Sequence, residues 1–263
     1  MDSNKASITR VHDTMLGGKD NYAEDRAVRD RLLAIDPQFP LAAQDARQFQ
    51  GRAVRYLAAH AGVRQFLDCG ACLPTAENTH EIALRVNPDS SVVYASKDPM
   101  VLTYARALLA DNDRTHVAEV NVSRAERVLA DPVVSKYLDF DQPIGLLHVL
   151  TLHHVPDKHD PWAAMAQYID ALAPGSYVVM AHMLDPGPGH ELAGTIARIG
   201  EVYRSGIGSG WPRTAERILD LLRGLELLEP GLVPVGDWWP DGPPAHPPAP
   251  MRRLFVGAVA RKP

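Results

Sequence analysis

RQFLDCGACLPTAENTHE, residues 64–81, is the stretch whose reading decides the fold. It begins as a short apolar run and ends that run in Asp68-Cys69-Gly70, the form of a strand that breaks into a tight turn. Pro74 and Thr75 follow at a position where a helix can open. A strand–glycine turn–helix unit aims backbone N–H groups and the positive end of a helix at a ligand. The same letters contain a C-x-x-C pair, Cys69 and Cys72, and a dithiol at a helix N-terminus would have lowered thiol pKa values. A thioredoxin-like site, however, carries proline or an aromatic residue beside its cysteines and sits in a much smaller domain. A zinc site needs about four ligands; with His80 as a third, no second cysteine pair completes the set. The two thiols are therefore read as small packing residues, and no metal is expected.

Outward from this unit, short apolar runs alternate with helical segments. Strands are predicted at 64–69, 91–96, 116–122, 144–150 and 176–182 from their β-branched and aromatic content, with helices between them over 75–86, 99–111, 123–137 and 159–172. Repeated strand–helix units imply a mostly parallel, doubly wound α/β sheet covered on both faces. Upstream, NYAEDRAVRDRLLAID (21–36) and LAAQDARQFQGRAVRYLAAHAG (41–62) have helical spacing, Pro37 separating them and Gly62 ending the second. Downstream, helices at 190–205 and 214–224 precede two more strand candidates, LELLEP and MRRLFVGAVARKP. A proline-rich loop, DWWPDGPPAHPPAP (237–250), lies between those strands, either as a lid or as a long connection held extended. The expected organisation is a helical segment over 1–62, then an α/β domain over 63–263.

The bulk properties fit one α/β unit with additions. The chain has 263 residues, 46% hydrophobic and 22% charged, enough to bury a large core. A formal charge of −5 gives no reason to expect a nucleic acid or an anionic membrane as partner. The start MDSNKASITR has no apolar secretory segment, and no run approaches the roughly 18 apolar residues of a membrane span. Two cysteines make no disulfide scaffold, so a cytoplasmic protein is expected, with a small molecule as partner and a homo- or hetero-oligomer with a pathway protein left open.

The chain closely resembles the bacterial S-adenosyl methyltransferase family first catalogued as a domain of unknown function. The resemblance covers nearly the whole length. It is carried by RVHDTMLGGKDNYAEDR (10–26), with its long LGGKDN segment, by RQFLDCGACLPTAENTHE (64–81), and by VVYASKDPMVLTYARALL (92–109). LTLHHVPDKHDP (150–161), DALAPGSYVV (170–179), GLELLEPGLVPVGDWWPDG (224–242) and the terminal VARKP match as well. What the resemblance implies is the Rossmann-like class I methyltransferase fold: a seven-stranded sheet with a final antiparallel strand and an N-terminal helical extension, 1–62, that covers the cleft.

The resemblance also implies three contacts to S-adenosylmethionine (SAM), and each is altered. The glycine loop reads Asp68-Cys69-Gly70-Ala71-Cys72, so Cys72 replaces a glycine where the cofactor approaches. Ser96 ends the second strand where an acid is common, exchanging a charge-assisted acceptor for a hydroxyl; Asp98, two residues on, is read as a helix cap. Asn121 stands for the acid after the third strand and retains one acceptor for the adenine amine. At about 1–3 kcal/mol each, three such losses predict SAM binding weaker by orders of magnitude.

Polar residues nevertheless crowd the expected cleft. His12 and His153 are the candidate bases, since a near-neutral imidazole can take a proton from an amine or hydroxyl. Lys19, Arg10 and Arg213 are the candidates to receive an anionic leaving group. Asp13, Asp20, Asn21, Tyr22, Thr75, Asn78, His80, Thr151, His154, His182 and Trp211 are the substrate-binding candidates; Asp25 and Arg26 read as an ordinary helical charge pair. The expectation is an enzyme of small-molecule, secondary-metabolite biosynthesis that works without SAM. It would perform a base-assisted elimination or ring closure that expels an anion such as sulfate, as in closing an aziridine. The alternatives are an active SAM-dependent N- or O-methyltransferase, whose cofactor contacts would be Asp68, Gly70, Cys72, Ser96 and Asn121, and a non-catalytic partner subunit.

Overall fold

The computed structural model describes residues 3–70, 73, 77–108, 113–242 and 249–263. Five parallel strands form most of the sheet: β1 (Gln65–Asp68), β2 (Ser91–Ser96), β3 (Thr115–Glu119), β4 (Ile144–Val149) and β5 (Tyr177–Met183). Beyond β5, β8 (Phe255–Arg261) runs antiparallel, and two short segments, β6 (Glu226–Leu227) and β7 (Val233–Pro234), share its outer edge. The order is β3-β2-β1-β4-β5-β8-β6. Because β6 and β7 lie one after the other along β8, the sheet is seven positions wide. The final antiparallel strand is as expected; the split of the last edge into two segments is not visible in the sequence.

Both faces of the sheet are covered, and the strand residues alternate between two cores as a period of two demands. Phe66, Val92, Leu147 and Val179 face one core; their neighbours Leu67, Val93, Leu146 and Val178 face the other. The first core is closed by α1 (Ile8–Met15), α2 (Ala23–Leu33), α3 (Phe39–Ala59), α4 (Thr79–Val86) and α9 (Ala193–Ile207). The second is closed by α6 (Ala125–Leu129), α7 (Pro132–Tyr137), α8 (Pro161–Ala171) and α10 (Ala215–Leu219). Helix α5 (Pro99–Leu108) packs Met100 and Val101 on Leu73.

The departures from the sequence expectations have local causes. The single helix expected over 123–137 is two, because Asp131 caps a new helix, accepting from the Val133 and Val134 amides, and Pro132 sits in its first turn. Helix α4 begins at Thr79 rather than 75, with Asn78 and Glu81 forming a capping box. The polar start contains a helix, α1, whose Val11 and Met15 are buried. In the proline-rich loop Trp238 is fully buried, edge-on to Phe49 of α3, so this part of the loop packs on a helix; residues 243–248 lie outside the described residues. No helix among the described residues is long and apolar enough to cross a membrane.

Candidate active site

Strand order reverses between β1 and β4, and a cavity of about 760 Å³ opens over the carboxyl ends of β1–β4. This is the crevice in which doubly wound sheets bind ligands. Its floor is Cys69 and Gly70 after β1, Ser96 to Pro99 after β2, Asn121 to Ser123 after β3, and Val149 to Thr151 after β4. Its roof comes from His12 of α1, Arg47 and Gln50 of α3, and Tyr203 to Trp211 around the end of α9.

The loop after β1 is held by Asp68. This carboxylate is buried; Oδ1 accepts the Gly70 N–H (2.9 Å), and Oδ2 accepts from the Thr79 hydroxyl (2.7 Å) and the Gln50 amide (3.0 Å). Burial pushes its pKa up against those hydrogen bonds. Asp68 does not line the cavity, so its expected cofactor contact becomes a positioning role. Gly70 does line it, and a Cβ there would lie 3.0 Å from the Val149 carbonyl oxygen. A side chain there would crowd β4 and push the loop away from it, so glycine keeps the two in close contact. Cys69 is buried and its thiol pKa is driven up by burial, the opposite of a reactive dithiol. Cys72 and Thr75 lie outside the described residues.

Ser96 and Asn121 both stand on the cavity wall. The Asn121 side-chain oxygen is already taken by the Ser123 amide (3.1 Å) and hydroxyl (3.0 Å). It therefore offers its NH₂ to a ligand, a donor where an acceptor was expected. Asp98 caps α5 as expected, Oδ1 accepting the Met100 N–H (2.9 Å). It is more than a cap, however: it also lines the cavity and accepts from the Ser7 hydroxyl at 2.6 Å.

Beyond the end of β4 the chain turns through Leu150, whose φ of +54° is rare for a side-chain-bearing residue and places a strained turn beside the site. The turn brings His153 and His154 to the cavity opposite His12; Thr151 lies there too, within 3.2 Å of His148. Burial first, then the nearby Arg47 charge, brings His12 down to about 4. Burial, then His12, brings His154 down to about 3, with its Nδ1 on the Ser209 hydroxyl at 2.8 Å. His153 is held well below its ordinary value by burial, then by His154, His182, Arg213 and His12. Its Nδ1 is sealed and has no partner. All three imidazoles are thus neutral at pH 7. The Trp211 amide donates to the His153 carbonyl oxygen (2.7 Å) and its side chain closes the cavity near them.

The cations assigned to a leaving group are elsewhere. Arg10 is buried against Asp25 (2.7 Å), which also accepts the Ser7 and Tyr22 amides, so Asp25 pairs with Arg10 rather than Arg26. Lys19 is exposed on the turn after α1, away from the cavity. Arg213 is buried and donates to the carbonyls of Leu152 (2.9 Å) and Val155 (2.6 Å), to Asp157 (2.8 Å) and to His182 Nε2 (2.9 Å). His182, fully buried, uses its other nitrogen on the Met183 carbonyl (2.8 Å). Neither lines the cavity.

Other substrate-binding candidates also prove structural. Asp13 Oδ2 accepts from the Asp20 amide (3.0 Å) and the Asn21 side chain (2.9 Å), organising the LGGKDN turn. Gly18 is required there, since its Cβ would fall 1.8 Å from the Asp13 carboxylate. Asp20 takes the Tyr104 hydroxyl (2.6 Å), and Tyr22 packs by Leu73, Met100 and Val101. Asn78 caps α4 and accepts from Arg47 (2.8 Å), while His80 is engaged by the Tyr94 hydroxyl (2.8 Å). None of these six lines the cavity. What the sequence did not single out is Arg47 and Gln50, three apart on one face of α3, and Ser209 behind His154. The i, i+3 spacing was the available signal.

A mostly parallel sheet of this order, with a cavity across the ends of β1–β4 and one antiparallel strand beyond β5, is the class I methyltransferase fold. The chain belongs to the S-adenosyl methyltransferase family, whose model matches residues 1–263. A candidate methyltransferase from Thermobifida fusca YX is 40% identical, covering 98% of this chain and 95% of its own, with a TM-score of 0.91. A DUF574 family protein from Streptomyces avermitilis MA-4680 is 35% identical over 100% of this chain and 99% of its own, with a TM-score of 0.93. The O-methyltransferase family protein from Burkholderia thailandensis, at 16% identity and a TM-score of 0.53, covers 91% of this chain and 61% of its own and shares the fold. No curated protein matches the chain.

Proposed function

We propose that the protein is a SAM-dependent methyltransferase acting on a nitrogen or oxygen of a small molecule. One observation carries this reading: a single cavity joins the strand ends where the fold binds a nucleoside to three neutral imidazoles. Its volume, about 760 Å³, is within the ~300–1,000 Å³ of small-molecule sites.

The residues present fit the cofactor. Gly70 leaves bare backbone against β4. Ser96 and Asp98 offer a hydroxyl and a carboxylate at the end of β2, and Asn121 and Ser123 offer an amide and a hydroxyl at the end of β3. SAM, when bound, supplies an electrophilic methyl group on a cationic sulfonium. The chain's part is to orient an acceptor N–H or O–H and take its proton. His12 and His154 stand on the cavity wall as neutral imidazoles and are the groups placed to accept it. Held near 4 and 3 by burial they are weak bases, so they serve an acceptor that loses its proton as the methyl group arrives rather than beforehand. The ring-closure chemistry expected from residue types loses its main support here, since Arg10, Lys19 and Arg213 are not on the cavity wall.

The test is calorimetric titration of the reduced protein with SAM and with S-adenosylhomocysteine (SAH). Micromolar binding is expected, followed by methyl transfer in an acceptor screen that falls when His12 or His154 becomes alanine. No heat and no thermal shift at millimolar concentrations of either would overturn the reading.

A further inference from the structure

We propose that the side of the cavity beneath α1, α3 and α9 is a pocket for an uncharged aromatic ring, and that the Tyr203 hydroxyl recognises a polar atom on that ring. That the ring is the methyl acceptor rests on the methyltransferase reading; its place rests on the geometry. The lining changes character across the cavity. The ends of β2 and β3 present Ser96, Asp98 and Asn121, whereas α1, α9 and the start of β8 present Met15, Ile207 and Phe255. Among the described residues the charged side chains on the cavity wall are Arg47, Lys97, Asp98 and Lys158, and none comes from α1, α9 or β8. Phe255 reaches this end of the sheet because antiparallel β8 begins opposite Met183, the last residue of β5.

Aromatic rings run through this side to the imidazoles. Phe255 stands edge-on to Phe39 (5.6 Å between centroids, 88°), Phe39 to Tyr203 (6.3 Å, 61°), and Tyr203 to His154 (5.5 Å, 85°). Aromatic pairs gain from such edge-on contacts, so walls of this kind favour a flat ring over a saturated one. Ala43 and Ala46, small side chains on the cavity-lining face of α3, leave width for it.

Tyr203 is the polar exception on this side. It is only 7% exposed, and its hydroxyl meets no hydrogen-bond partner among the described residues, yet it is not sealed off from the cavity it lines. Burial raises its pKa and keeps it a protonated donor at pH 7. A buried hydroxyl without a bond is costly, and a ligand atom that accepts from it removes the cost. Gly210 makes room for the ring, since a Cβ there would fall 2.5 Å from Tyr203 Cβ. An apolar wall with one placed polar group is the usual form of a small-molecule pocket.

The experiment measures binding of 2-naphthol, 2-methylnaphthalene, the saturated decahydro-2-naphthol and the anion 2-naphthoate by equilibrium dialysis, with and without saturating SAH. The wild type is expected to bind 2-naphthol more tightly than the saturated alcohol and the anion, whether or not SAH is present. Tyr203→Phe weakens 2-naphthol about 3- to 10-fold, as for one neutral hydrogen bond, while affinity for 2-methylnaphthalene holds. A wild type that binds no neutral ring, or that prefers the saturated alcohol or the anion, overturns the pocket. So does loss of 2-naphthol on adding SAH, or a Tyr203→Phe protein in which the two neutral rings change alike. Calorimetric titration with SAH on the same protein keeps the two readings apart. SAH binding without ring binding overturns the pocket and leaves the SAM reading standing, whereas ring binding without SAH binding overturns the SAM reading and leaves the pocket. The wild-type comparisons need no variant, so misfolding of a substituted protein does not remove the test.

Discussion

Replacing Arg213 by methionine separates a structural arginine from a catalytic one. The substitution keeps an apolar stem and removes every donor, leaving the Leu152 and Val155 carbonyls and His182 Nε2 without their partner. The ion pair with Asp157 contributes little, because that carboxylate side chain is 60% exposed and such pairs are worth about 1 kcal/mol or less. The buried acceptors decide the outcome: about 1–3 kcal/mol each, reduced by the relief of no longer burying a cation, gives roughly 3–5 kcal/mol in all. For a chain of this size that lowers the melting temperature by about 6–20 °C. Circular dichroism and calorimetric melts of wild type, Arg213→Met and Arg213→Lys measure it, with Lys recovering only part of the loss because it lacks the planar fork. A Tm within about 2 °C of wild type would refute the argument and return Arg213 to the list of candidate anion receptors.

Acid should destabilise the protein early. His12 is held near 4 and His148, His154 and His182 near 3, each chiefly by burial. These folded values lie below the unfolded value of about 6.5, so the unfolded chain binds the extra protons and stability falls as pH drops through 6.5 toward 4 and 3, by up to about 1.4 kcal/mol per histidine per pH unit. Urea midpoints should be flat above pH 7 and fall steeply below 6.5; a flat profile down to pH 5 contradicts the burial of these rings. Gly70→Ala places a Cβ 3.0 Å from the Val149 carbonyl, so the loop must shift and SAH affinity should drop at least about tenfold by calorimetry, with unchanged affinity contradicting the placement of the cofactor on that loop.

The sheet was legible because its strands are buried on both faces and read as continuous apolar runs between turn signals. The cavity was legible as a place, for the same reason: strand ends are found once strands are. Its members were not. The LGGKDN segment looks like a cluster of ligand-binding groups, yet Asp13 spends its carboxylate on Asp20 and Asn21, and Gly18 is there to admit it. Arg10 and Asp25 lie 15 residues apart, on two helices that meet only in three dimensions, whereas Asp25 and Arg26 are neighbours in the sequence and were read as the pair. Residue type foretold polarity; it could not foretell whether a polar group faces a ligand or another part of the chain.

Of the three changed cofactor contacts, Cys72 lies outside the described residues, and the other two carry different weight once they are seen in space. The missing acid at Ser96 is not a lost charge, because Asp98 brings a carboxylate to the same cavity wall two residues later, with Ser7 of the N-terminal segment closing on it. Asn121 is changed in kind rather than removed: its oxygen is consumed by Ser123, so the end of β3 presents a donor. Arg47 then adds a charge that the sequence pattern did not count. Adding three independent losses of about 1–3 kcal/mol therefore overstates the damage. One of the terms has a carboxylate nearby, and another keeps a hydrogen-bonding group on the cavity wall.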